Sequence, residues 1–102
     1  MEETALYEEK AELLKALGLP LRLQIVRGLL RNGCHNVGCM EAGTGQSQSC
    51  ISQHLARLKA AGVVKCSRNG NEMHYDIDNR ERVAAVVAAL FGDREEEYEE
   101  HA

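Results

Sequence analysis

At 102 residues, 44% hydrophobic and 27% charged, the chain has the size of one domain with a thin core. No run approaches the roughly 20 apolar residues of a membrane span, and the acidic start lacks the basic and apolar segments of a signal peptide, which predicts a cytoplasmic protein with no membrane partner. The net charge of −4 does not exclude nucleic acid: from Leu13 to Asn71 eight basic residues (Lys15, Arg22, Arg27, Arg31, Arg57, Lys59, Lys65, Arg68) stand against the single acid Glu41, a net +7, and the other acids gather at the two ends.

In chain order, Glu3 to Leu17 carries Leu6, Leu13, Leu14 and Leu17 at helical spacing. Gly18 suits the end of this first helix, and Pro20, the only proline, suits the first turn of the next. The second helix, Leu21 to Arg31, has Leu21, Ile25, Val26, Leu29 and Leu30 on its apolar side and is closed by Asn32-Gly33. A third, Asn36 to Ala42, is weakly specified, because Gly38, Gly43 and Gly45 each cost about 1 kcal/mol relative to alanine in a helix interior.

The fourth helix, Gln48 to Ala60, is the best defined, with Ser47 as N-cap, Ile51, Leu55 and Leu58 on one face, and Gly62 at its end. Val63 to Arg68 and Asn71 to Asp78 then flank Asn69-Gly70, a two-residue hairpin signal. That register sets Val64 opposite Tyr75 and Cys66 opposite Met73, with Lys65 and His74 facing outward. A last helix, Asn79 to Phe91, is apolar along Val83, Val86, Val87 and Leu90.

The pattern predicts a mainly α winged helix-turn-helix domain over residues 1–92, about five helices plus a hairpin wing, and a disordered acidic tail over 93–102. Apolar stripes on the first and last helices find burial most readily by association, so an obligate homodimer is expected. In such a module the second helix of the helix-turn-helix enters the major groove by its N-terminal part. Here that helix turns Ser49, Gln53 and Ala56 away from its apolar face, with Gln48 and Ser52 beside them. A Gln amide matches an adenine edge, Ser matches several bases, and Ala56 permits close approach. Arg57 and Lys59 stand where phosphates run, as do Lys65 and Arg68 on the wing. An ordinary amphipathic surface helix would show the same polar face, but no acid occurs from Gln46 to Arg68 and a hairpin follows, which favours DNA.

The run from Gln46 to Val64, QSQSCISQHLARLKAAGVV, resembles the "S-Q-S-x-[VI]-S-x-H-L-x-x-L-x-x-A-G-[LV]-V" pattern of ArsR/SmtB repressors. Leu17 to Ile25 is similar to their "L-[GS]-x-P-x-R-L-x-I" signature, and Arg68 to Tyr75 to their wing. The resemblance spans about residues 5 to 91. It implies a symmetric dimer built from the first and last helices, bound to a palindromic operator in double-stranded DNA and released by an inducer. His54 belongs to the same pattern, in a structural or DNA-proximal role. Two family features are missing: Asn36-Val37-Gly38 stands where metalloid- and cadmium-sensing members often carry Cys-Val-Cys, and the last helix has no His, His101 lying in the tail. The class of signal is therefore not inherited, and no cofactor is assigned.

Without a signal peptide, Cys34, Cys39, Cys50 and Cys66 read as reduced thiols. Cys66 reads as a small apolar residue of the wing sheet. Cys34, Cys39 and Cys50 are candidate sensor thiols for a thiophilic metal or metalloid, a reactive sulfur species or an oxidant, and the competing reading makes them packing residues. Cys34-x4-Cys39 is a weak metal spacing, and His35 fits a solvated loop residue better than a fourth ligand. The rival function is a winged-helix module that binds protein, with cysteines that are structural or hold a structural zinc. An enzyme is not expected, because Cys34 and His35 have no orienting group beside them.

Overall fold

A computed structural model describes residues 2–31 and 35–92. Within them the order is α1 (Glu2–Leu17), α2 (Pro20–Leu30), α3 (Val37–Thr44), α4 (Gln48–Ala60), β1 (Val64–Asn69), β2 (Glu72–Ile77) and α5 (Arg80–Phe91). Five helices and one antiparallel hairpin are the expected winged helix-turn-helix. Cys34, the Asn32-Gly33 stop signal, the acidic tail and His101 lie outside the described residues.

The core is built around α2, which packs against the four other helices and β2. Pro20 starts it at the position where a missing N–H costs nothing, and Ile25, Val26 and Leu29 are buried along it. From the other elements come Leu13, Ala16 and Leu17, Met40, the Ile51-Leu55-Leu58 stripe, Val63 and Val64, Ile77, and Val83 with Val87. Three apolar positions expected on these stripes stay open: Leu6 of α1 is 48% exposed, and Leu14 of α1 and Leu90 of α5 are each 61% exposed.

Helix ends are specified locally. In α3, Asn36 lies just before the helix and its Oδ1 accepts from the Cys39 N–H at 2.8 Å, and Gly45 at φ +75° closes the other end. These two caps carry α3 to Thr44, two residues beyond the expected stop at Ala42. Helix α4 has the predicted bounds: Ser47 accepts from the Cys50 N–H at 3.2 Å. At its other end the Gly62 N–H donates to Lys59 O and the Val63 N–H to Leu58 O, the paired Schellman pattern. Asn79 is the N-cap of α5, accepting from the Arg82 N–H at 3.3 Å.

The hairpin corrects the expected register by two residues. Val64 pairs with Ile77, Cys66 with Tyr75 and Arg68 with Met73, so the turn is Gly70-Asn71. Gly70 has φ +66°, and among the described non-glycine residues only Asn79 has a positive φ. The positive angle therefore falls on the first central residue, the pattern of a type II′ turn, where glycine adopts it without steric cost. An Asn69-Gly70 turn of type I′ would force Asn69 itself into that region. A shift of two keeps every side chain on its face, so Lys65 stays exposed while Val64 and Ile77 face the core.

Candidate nucleic-acid interface

Helices α3 and α4 meet across the short turn at Gly45, Gln46 and Ser47. The Gly45 N–H donates to Glu41 O at 2.8 Å and the Gln46 N–H to Thr44 Oγ1 at 3.2 Å, which fixes the direction in which α4 leaves. Ile51, Leu55 and Leu58 are fully buried, and this anchors the rotation of α4 about its own axis. Gln48, Ser49, Ser52, Gln53, Ala56, Arg57 and Lys59 are consequently exposed. The first turn of α4 adds unpaired backbone N–H groups and the positive end of the helix dipole, both suited to a phosphate. Lys65 and Arg68 are exposed on β1, Arg68 one pair back from the last rung of the wing.

Burial removes two cations from the basic stretch. Arg22 is only 9% exposed and Arg27 only 7%. The Arg27 guanidinium lies over the Phe91 ring at 3.8 Å, tying α2 to α5. Arg22 donates from Nε to His54 Nδ1 at 3.0 Å and from Nη1 to Ala16 O at 3.3 Å, so it joins α2 to α4 and to the end of α1. His54 is half-buried on the flank of α4. The sequence signal for Arg22 was present in the Pro-x-Arg motif, but a charge count alone assigns such a residue to the surface.

The conserved-family model described as "Bacterial regulatory protein, arsR family" matches residues 20–65. The HTH-type transcriptional regulator YgaV of Escherichia coli (strain K12) is 39% identical over 81% of this chain and 83% of its own length. This chain belongs to the ArsR family. Among solved structures, the transcriptional repressor PagR of Bacillus anthracis superposes with a TM-score of 0.76 at 34% identity, over 85% of this chain and 98% of that one. The homodimeric winged helix-turn-helix DNA-binding domain of Mb0332 from Mycobacterium bovis superposes with a TM-score of 0.79 at 33% identity, over 98% and 90%. Like these relatives, the ArsR-family chain is a DNA-binding transcriptional regulator and not an enzyme.

The thiols of this ArsR-family protein are not all reduced, which corrects the sequence expectation. Cys39, exposed in the first turn of α3, is disulfide-bonded, whereas Cys50 and Cys66 are free. The bond therefore does not bridge α3 to the recognition helix. Cys50 is half-buried in the first turn of α4, and Cys66 is half-buried opposite Tyr75. Burial, and then the contact with the Cys66 thiol, push the Tyr75 hydroxyl above its usual pKa. Among the described residues no group of three or more His, Cys, Asp or Glu side chains could hold a metal ion.

His35, read as a solvated loop residue, is half-buried and clips the loop before α3 to the wing. The Tyr75 N–H donates to His35 O at 2.8 Å, and His35 Nδ1 donates to Tyr75 O at 2.9 Å. The ring stacks on His74 with centroids 6.0 Å apart and planes 9° from parallel. The two rings, with Lys65, Cys66 and Ser67, line a cleft of about 600 Å³ on the wing.

Proposed function

We propose that the chain is a dimeric transcriptional repressor that acts in the cytoplasm on a palindromic operator. Gln48, Ser49, Ser52 and Gln53 read base edges in the major groove, while Arg57, Lys59, Lys65 and Arg68 hold phosphates. The observation that carries this reading is the exposed face of α4, amide and hydroxyl groups in its first two turns and cations beyond, with no acid between Glu41 and Glu72 in the sequence. The name repressor carries over from PagR, and the dimer from Mb0332 together with the open leucines of α1 and α5. Selection of duplexes from a random pool tests it: half-sites repeated at about one helical turn support the reading, and recovery of no common sequence sinks it.

The signal in this reading is oxidation of Cys39. Its thiolate and a second one each lose one electron to an oxidant such as a peroxide, which leaves as water once protonated, and the sulfurs join. Support comes from the disulfide itself, placed in the first turn of α3, four residues past the His35 clip and six before the turn into α4. A marginal helix can be displaced by one such bond, and a change in α3 moves α4 relative to its dimer mate. Cys39→Ser should leave DNA affinity the same with peroxide as with a thiol reductant, while the parent differs between the two. Equal behaviour of parent and variant would assign these thiols to packing.

A further inference from the structure

Arg22 stands outside the recognition helix, yet its main side-chain partner is on it. A guanidinium offers donors only and keeps its proton throughout the working pH range. In the 3.0 Å bond from Arg22 Nε, His54 Nδ1 must therefore be the acceptor, which puts the imidazole proton on Nε2. The second bond, from Nη1 to Ala16 O, and burial of all but 9% of Arg22 prevent the guanidinium from turning away. The imidazole is thus held in one orientation and one tautomer. Among the described residues nothing in the protein accepts from its Nε2–H. His54 lies one helical turn before the exposed Arg57, so it borders the same phosphate-facing edge of α4.

We propose that Arg22 is a positioning residue that locks His54 as a neutral Nε2–H donor to a DNA phosphate beside Arg57. The proposal rests on the DNA-binding reading above and adds to it a contact of a distinct kind. A neutral donor displaces no counterion, so it raises affinity without steepening the dependence on salt. The buried cation behind the ring does not itself touch DNA. It acts by fixing which nitrogen is offered.

The test uses the full-length dimer and a duplex that the parent recovers from a random pool. His54→Asn keeps an acceptor at the δ position for Arg22 and lacks the ε donor. It should weaken binding roughly 10-fold or more across the two protomers, with the slope of log K against log salt unchanged. Arg22→Lys should lose a similar factor, and the double variant little more than either single one. Long-range proton–nitrogen spectra of the free parent should show His54 protonated at Nε2 and bare at Nδ1, and Arg22→Lys should mix the tautomers. Should Arg22→Lys fail to fold, His54→Asn and the parent spectrum still decide. Parent-like binding by His54→Asn overturns the proposal, as does a proton on Nδ1. A slope reduced by about 0.9 per protomer would show a charged, counterion-displacing His54 and also overturn it. If the parent binds no duplex in a salt-dependent way, the DNA-binding reading falls first and the role of His54 falls with it.

Discussion

Gln53 and Arg68 are both exposed and both polar, yet their substitution should be felt differently. Gln53 projects from the second turn of α4, where an amide can make two bonds to an adenine edge. Gln53→Ala should cost about 1–3 kcal/mol per half-site on the selected duplex and less on random DNA, measured by competition binding. Equal losses on both would show that Gln53 does not specify sequence. Arg68 sits near the wing tip, and the proposed reading gives it a phosphate as partner. Arg68→Ala should weaken all duplexes alike and lower the salt slope by about 0.9 for each protomer. At this scale much was legible in the sequence, because periodicity alone separates Gln48, Ser49, Ser52 and Gln53 from Ile51, Leu55 and Leu58. Arg27 and His35 were not, since a partner 40 residues away, as Tyr75 is from His35, leaves no local trace, and Arg22 was marked only by its place in the Pro-x-Arg motif.

Helix α3 shows how glycines of one segment separate by conformation. Gly43 lies within the helix, exposed, with open space where a Cβ would go and no positive φ. Gly43→Ala should stabilise the fold by about 0.5–1 kcal/mol. Gly45 has equal space but a φ of +75°, so Gly45→Ala should cost about 1–2 kcal/mol and disturb the entry into α4. Thermal unfolding of the two variants at equal dimer concentration should move in opposite directions, and a common direction would contradict the assignment. Four helices were readable from stripes and caps and α3 only weakly, with bounds off by two residues at most. The hairpin was readable as an element but not in register, because the Asn-Gly-Asn run offers a turn in either alignment and the choice depends on which residue takes the positive φ. Likewise the spacing of the cysteines did not reveal that Cys39 is paired, since that depends on how α3 sits in the fold.

At the scale of the molecule, Tyr7 and Leu14 stand seven residues apart on one face of α1, 67% and 61% exposed, and Leu90 of α5 is 61% exposed. Apolar surface of this kind on the two terminal helices is what a second copy of the chain would cover. Leu14→Glu should leave the fold of one chain intact, because Leu14 contributes little to its core, and should halve the mass in sedimentation velocity. A Leu14→Glu protein that remains dimeric would place the interface elsewhere. Dimerisation also sets the number of cations on the operator. Burial of Arg22 and Arg27 leaves Arg57, Lys59, Lys65 and Arg68 as the exposed basic residues of α4 and the wing, and two protomers double that set. The most direct measurement is the affinity of the reduced dimer for the selected duplex at several salt concentrations. With six to eight phosphate contacts, log K should fall with log salt at a slope between about −5 and −7, while a flat response would contradict a role in binding DNA.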